Sequence, residues 1–143
     1  MPKGTTFVND LMKLLFQGTP NISLLLDNAA TTPLTVLYVA LHTADPSAGN
    51  QQTSETTYTS YARVAVARTS GGWSVTANVV NPVATVSFPA GTGGSGTVTH
   101  WSVGTATTGG AGKVLWSGPV SPNIIVGNGI TPQLTPASTV TET

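Results

Sequence analysis

The stretch Thr35-Val36-Leu37-Tyr38-Val39-Ala40-Leu41-His42-Thr43 decides the fold. Its β-branched and aromatic residues alternate, with Leu37, Val39 and Leu41 on one side and Val36, Tyr38, Ala40 and His42 on the other. Both sides are largely apolar, so this strand is expected at the centre of a sheet and covered on both faces. Asp45-Pro46 ends it, because Pro46 fixes its own φ and biases Asp45 away from helix. The polar run from Ser47 to Ser60 then reads as a loop.

The two-residue period continues downstream. Tyr61 to Arg68 places Ala62, Val64 and Val66 on one side and Tyr61, Arg63, Ala65 and Ala67 on the other, and Gly71-Gly72 turns the chain into Trp73 to Val75. Val79 to Phe88 reads as one strand with Val80, Ala84, Val86 and Phe88 on one face, and Pro82 marks an edge or a bulge. Thr97 to Val103 and Lys113 to Val120 form a strand, loop, strand unit with Trp101 and Trp116 near the core. Ile124 to Val126 and Ile130 to Thr135 read as a hairpin, since Gly127-Asn128-Gly129 suits the positive-φ positions of a type I′ turn. Pro132 and Pro136 mark an edge strand or a tail.

Upstream the period changes to that of a helix. Phe7, Leu11, Leu14 and Leu15 fall on one stripe of a helix from Thr6 to Gln17, with Gly18 as its stop, Thr5 or Thr6 as N-cap, and Asp10 near the positive end of the dipole. The predicted architecture is all-β: a jelly-roll-like antiparallel β-sandwich with a short N-terminal α-helix. Helix and connecting arm take residues 1–30, and the sandwich with its C-terminal strand or tail takes 31–143, forming one domain without an internal repeat. A chain of 143 residues can bury roughly 68–70% of its unfolded surface, enough for a core without staples.

Only 7% of the residues are charged, five basic and five acidic, against roughly a quarter in ordinary domains. A surface covered instead by Thr, Ser, Asn, Gln and Gly bonds adaptably and repels neighbours weakly, so the chain is expected to sit against other protein. The absence of Cys removes thiolate chemistry and cysteine-based metal sites. Lys3 precedes an apolar stretch, but Asn9, Asp10 and Lys13 interrupt any signal-peptide core, and no apolar run approaches the ~18 residues of a membrane span. Lys3, Lys13, Arg63, Arg68 and Lys113 are scattered, which argues against nucleic-acid binding.

The motifs that resemble chemistry are weak. Gly91-Thr92-Gly93-Gly94-Ser95-Gly96 has the letters of a dinucleotide fingerprint, yet a strand follows it where a helix is required. Gly112-Lys113 resembles the end of a P-loop, but Thr107 and Val114 occupy positions that need Gly and Ser or Thr. His42 with Asp45 suggests a base and its orienter, and His100 a second base, without a nucleophile elbow. Trp73, Trp101 and Trp116 suggest either a sugar-stacking platform or core packing, and the second is the expectation. Asn21-Ile22-Ser23 is a glycosylation sequon only by letters. In so charge-poor a chain Arg63 and Arg68 are expected to have assigned partners, carboxylate or carbonyl, with Glu55 the nearest acid. No catalytic residue, cofactor or metal ligand is assigned, and the chain is expected not to be an enzyme.

The ordered strings Leu37-Tyr38-Val39-Ala40-Leu41-His42-Thr43-Ala44-Asp45-Pro46, Glu55 to Arg68, Phe88-Pro89, Gly96-Thr97-Val98-Thr99-His100-Trp101 and Lys113-Val114-Leu115-Trp116-Ser117-Gly118 resemble a family of small tailed-phage virion proteins. Its members are often labelled tail fibre proteins, and those seen in assembled heads resemble capsid decoration, or cement, proteins with a jelly-roll-like sandwich. The resemblance implies a structural virion protein on the outer surface of an icosahedral capsid, made in the host cytoplasm. It would bridge copies of the major capsid protein and associate with itself, as a dimer first and a trimer second. The helix from Thr6 to Gln17 and the tail from Thr131 to Thr143 are the expected contact segments. The alternative is a tail-fibre or receptor-binding module recognising a host glycan through the tryptophans.

Overall fold

The computed structural model describes residues 5–19 and 33–142, with helix side chains from Val8 onward. Among the described residues one helix, α1 (Thr5–Gln17), precedes nine strands: β1 (Val36–His42), β2 (Val64–Ala67), β3 (Trp73–Thr76), β4 (Val79–Pro82), β5 (Val86–Ser87), β6 (Ser95–Gly104), β7 (Val114–Gly127), β8 (Gln133–Leu134) and β9 (Val140–Thr141). Every strand pair is antiparallel. The sheet orders are β2-β1-β6-β7, β3-β4-β9 and β5-β8. This is the expected all-β sandwich with an N-terminal helix.

Strand β1 lies inside the four-stranded sheet, as its two apolar faces require. Its inner face presents Leu37, Val39 and Leu41 beside Val98, Trp101 and Val103 of β6. Against them pack Trp73, Val80 and Val140 of the three-stranded sheet, Val86 and Leu134 of the short ribbon, and Phe88 just beyond it. These side chains form one continuous core, the favourable term that offsets the entropy of ordering many short strands.

Helix α1 belongs to this core, but through a different face from the predicted one. Val8, Met12 and Phe16 are buried and Leu15 packs beside them, whereas Leu11 and Leu14 are half-buried; the Phe7 side chain lies outside the described residues. The apolar positions cover more than half the helix circumference, so spacing alone does not choose the inward stripe. Phe16 chooses it: its ring meets Trp73 edge-on at 4.8 Å and Trp116 at 5.0 Å. Thr5 and Thr6 both lie inside the helix rather than ahead of it. At the other end Gly18 takes φ +65°, which turns Thr19 N–H back to the Lys13 carbonyl.

Two further expectations are corrected. Residues 79–88 are not one strand: Pro82 ends β4, Val83 N–H donates to the Gly72 carbonyl, and Ala84 is exposed before β5 begins with a new partner, β8. Pro82 is tolerated because β9 pairs only with Val79 and Val80, leaving Pro82 unpaired on that side. Nor do residues 124–135 form a hairpin. Strand β7 runs on to Gly127, only Gly129 of the turn has positive φ (+76°), and the chain then pairs with residues 86–91. Gly91 N–H donates to the Ile130 carbonyl and Phe88 N–H to that of Pro132, both at 2.9 Å.

Strand β7 carries a deviation that shapes the surface. Val98 opposes Ile124 and His100 opposes Pro119, so Val120 to Asn123 bulge outward opposite the single residue Thr99. The Ser121-Pro122 bond in this bulge is cis. Two prolines fit here because β7 is the last strand of its sheet among the described residues.

Candidate functional site

The part of the outer face of the four-stranded sheet around Ala40, His42 and Ser102 is covered by the loop between β1 and β2. Thr43 N–H donates to Ser54 O and Thr56 N–H to Leu41 O, which lays the loop across β1 and sets Glu55 opposite His42. Glu55 then accepts from Arg63 through both oxygens, at 2.7 Å from Nε and 2.8 Å from Nη2. The Tyr61 hydroxyl also donates to Glu55 and accepts the Leu41 N–H. Arg63 also donates to the carbonyls of Ala106 and Gly109, which ties down the glycine-rich loop before β7. This two-pronged pair, with an arginine side chain 1% exposed, is the partnership expected from the scarcity of charge. Burial, aided by the neighbouring Glu55, pushes the Tyr61 phenol well above its ordinary range.

Beneath the same loop His42 is fully buried. Its Nδ1 lies 2.9 Å from the Thr53 carbonyl, which can only accept, so Nδ1 carries the hydrogen. Nε2 is therefore an acceptor and takes the Ser102 hydroxyl proton at 2.8 Å. Burial lowers the His42 pKa, partly opposed by the Thr53 hydrogen bond and by Glu55. Gln51 lies alongside, donating to the Tyr38 carbonyl, while its own Oε1 has no hydrogen-bond partner. A Cβ at Gly104 would overlap the Gln51 amide, so β6 needs glycine there.

The residues singled out as possible reagents are distributed otherwise. Asp45 does not orient His42; it is exposed and accepts from the Ser47 N–H and from the Ser47 and Ser117 hydroxyls, each at 2.9 Å. The Ser47 N–H and these two hydroxyls hold its pKa below the ordinary carboxylate value. His100 meets the Thr99 hydroxyl. Ser102 and His42 form a nucleophile-and-base contact by distance, but both are fully buried and neither lines an opening beside β7. Within Gly91 to Gly96, Ser95 and Gly96 already belong to β6, and no helix follows. Lys113 N–H is held by the Thr105 hydroxyl at the start of β7. Asn21-Ile22-Ser23 lies outside the described residues.

The tryptophans are core residues. Trp73 is 0% and Trp101 5% exposed, and Trp116 packs on Phe16 while its Nε1–H donates to Glu142. None of these arrangements resembles a row of open ring faces. Arg68, expected to have carboxylate or carbonyl partners, takes carbonyls: those of Leu14 and Leu15 in the last turn of α1, and that of Leu34. A cation at the negative end of a helix is electrostatically favourable, so Arg68 fastens the helix to the entry of β1. Both expected contact segments also take part in the fold. Helix α1 buries its Val8, Met12 and Phe16 face, and the tail contributes β8 and β9 to two sheets rather than projecting.

A further opening lies beside β7, lined in part by the tail from Thr131 to Thr143 that the sequence marks as a contact segment. A groove of about 690 Å³ runs between the β7 bulge and the segment from Gln133 to Thr139, with Trp101 at its floor. A smaller hollow of about 70 Å³, bounded by Trp116, Gly118 and Val140, shares Trp101 and Thr139 with it. Pro119, Val120, Ile124 and Leu134 supply the apolar wall, Ser121, Asn123 and Ser138 polar atoms, and among the described residues no Asp, Glu, Lys, Arg or His lines the groove. Pro119 and Pro122 within a strand-like run were the available signal for this break.

A family model described as podophage GP4 fiber I protein gp80 matches residues 17–141. The chain belongs to that family. It is therefore a structural, fibre-like protein of a tailed-phage virion. Among proteins of curated function, none matches the chain. The match spans β1 to β9, so the loop-covered sheet, the Arg63–Glu55 pair and the groove all lie within the gp80-family region.

Proposed function

We propose that this gp80-family protein decorates the outer surface of a podophage head, bridging neighbouring copies of the major capsid protein as a non-enzymatic cement. The observation that carries the reading is how the chain uses its few charges. Arg63 and Glu55 neutralise each other under a loop, Arg68 is consumed by helix carbonyls, and Asp45 is held by serine donors. What faces outward is mostly hydroxyl, amide and small apolar surface, suited to many weak neutral contacts. Repeated over a lattice, such contacts gain strength by multivalency, and copies of a net-neutral chain associate without long-range repulsion. Self-association as a dimer, with a trimer next, accompanies this reading.

The family description favours a second reading, a component of a tail fibre. Within that reading, recognition of a glycan by stacked tryptophans has little support from rings this deeply packed. Rebinding separates decoration from fibre. Heads lacking the protein, mixed with the purified chain, should take it up and resist heat longer than untreated heads. No uptake and unchanged head stability would overturn the decoration reading.

A further inference from the structure

We infer that Asn128 is a modification site: its side-chain amide converts to a carboxylate through attack by the Gly129 nitrogen, and the folded chain holds this reaction off through Gly91. Among the asparagines only Asn128 precedes a glycine. A side chain on the following residue crowds the approach of its nitrogen to the asparagine Cγ, and glycine has none. Asn128 is exposed to water, and among the described residues its amide makes no hydrogen bond that would hold it back. The attacking nitrogen loses its hydrogen, bonds to Cγ and displaces the side-chain nitrogen, which leaves as ammonia with that proton. Water then opens the resulting five-membered imide at either carbonyl. One opening gives aspartate; the other gives isoaspartate, with the main chain routed through Cβ and Cγ. Either product has a carboxylate where an amide stood, so a chain with five acids and five bases gains one acid more.

Gly91 supplies the lock. Ile130 N–H donates to the Gly127 carbonyl at 3.1 Å and Gly129 takes φ +76°, the third position of a type II turn. Onto this turn Gly91 folds from the facing stretch: Gly129 N–H donates to the Gly91 carbonyl at 2.8 Å, and Gly91 N–H to the Ile130 carbonyl at 2.9 Å. The two stretches lie so close that a Cβ on Gly91 would overlap the Gly127 carbonyl. While this bracket holds, the Gly129 hydrogen faces a carbonyl instead of a base in solvent, and the nitrogen cannot swing toward Cγ. The reaction therefore passes through local opening, and its rate falls with the open fraction. The bracket continues into residues 86–88, where Phe88 N–H donates to the Pro132 carbonyl and β5 pairs with β8. What Asn128 records is thus the opening of this ribbon. The record is one-way, because isoaspartate lengthens the main chain inside the turn, and the Gly127–Ile130 bond and both Gly91 bonds then no longer fit together.

The test uses the full chain, folded and in guanidinium chloride, held at mildly alkaline pH and sampled by peptide mass spectrometry that resolves each asparagine. In denaturant Asn128 should convert before every other asparagine, and Gly129→Ala should suppress that conversion. In the folded chain Asn128 should convert at least about tenfold more slowly, the scale of protection that local opening confers. Hydrogen exchange of the Gly129 amide in the folded chain should be slowed by a similar factor. Gly91→Ala should raise the folded rate toward that in denaturant and leave the latter unchanged. Circular dichroism shows whether this variant is folded, and where it is not, Gly129 exchange in the wild type decides. Earlier conversion of another asparagine in denaturant overturns the site. Equal Asn128 rates with and without denaturant, or slow conversion beside a freely exchanging Gly129 amide, overturn the Gly91 lock.

Discussion

Two regions flank the same β6–β7 pair and are built on opposite terms. Under the loop between β1 and β2, nearly every polar group has a partner within the chain: Glu55 with Arg63 and Tyr61, His42 with Thr53 and Ser102, and Arg63 with two further carbonyls. Beside β7, strand edges stay unpaired among the described residues, and the walls carry no charge. The first region is a finished structure that holds two long loops on a sheet. The second is an unfinished one. The contrast teaches that the ionisable groups, ordinarily the first suspects for activity, are here tied up in contacts within the chain, while the opening beside β7 is lined by uncharged side chains.

The comparison breaks most visibly if the closed region is opened. Arg63→Ala leaves the Glu55 carboxylate facing a site shaped for a guanidinium, and removal of one partner of a buried pair typically costs about 3–5 kcal/mol. Urea denaturation should show a loss of that order, together with faster proteolysis in the loop from Thr105 to Lys113 that Arg63 holds. A loss below about 1 kcal/mol would mean that the pair is as weak as a surface one.

Next in size is Arg68→Ala. It removes the donors to Leu14, Leu15 and Leu34 and should cost about 1–3 kcal/mol, since hydrogen bonds to a charged group are worth more than neutral ones. The expected signature is local: amide exchange of α1 should rise before that of β1 and β6. Uniform acceleration across the sandwich would show that Arg68 is not a fastening specific to the helix.

A smaller effect follows from His42. Its folded pKa lies below the ordinary value of 6.5 because burial disfavours the imidazolium, so the unfolded chain binds the proton more readily. Stability from this group is therefore complete above about pH 6.5 and is lost as the pH falls from there toward the folded value. Asp45 acts lower, since its stabilisation is present above its ordinary 3.8 and lost below it. The urea midpoint should be flat from pH 8 to about 6.5, decline as the pH falls further, and lose the His42 part of that decline in His42→Asn. An unchanged slope in the variant would assign the pH dependence elsewhere.

The smallest expected change in stability is at the open region. Ala137→Arg, exposed and away from the core, should stay within about 0.5 kcal/mol of wild type in urea denaturation. A loss above about 1 kcal/mol would show that this segment is packed as tightly as the closed region.

Much of the closed region was legible in the amino-acid sequence. The alternation of Val36 to His42 marked the inner strand, and the scarcity of charge pointed to Glu55 as the partner of Arg63, because a chain with five acids has few candidates. Arg68 followed the same logic, with carbonyls in place of a carboxylate. What escaped depended on long-range choices that local patterns do not encode. The face of α1 is fixed by two tryptophans about 57 and 100 residues downstream of Phe16, and the letters Asn128-Gly129 describe a turn but not which strand the chain joins after it. Gln51 gave no signal in a polar loop, and that its amide lies against Gly104 at the end of β6 follows only from the fold. The groove was only half legible: Gln133 to Thr139 lie in the expected contact tail, but no local pattern in Pro119 to Ile124 shows that the two stretches face each other.

The central claim is that this gp80-family chain works on the head, through neutral contacts repeated over a lattice. Gold-labelled antibody against the chain, applied to intact virions and viewed by electron microscopy, tests it most directly. The account predicts label spread over the whole head surface. Label confined to the tail or its fibres would contradict it.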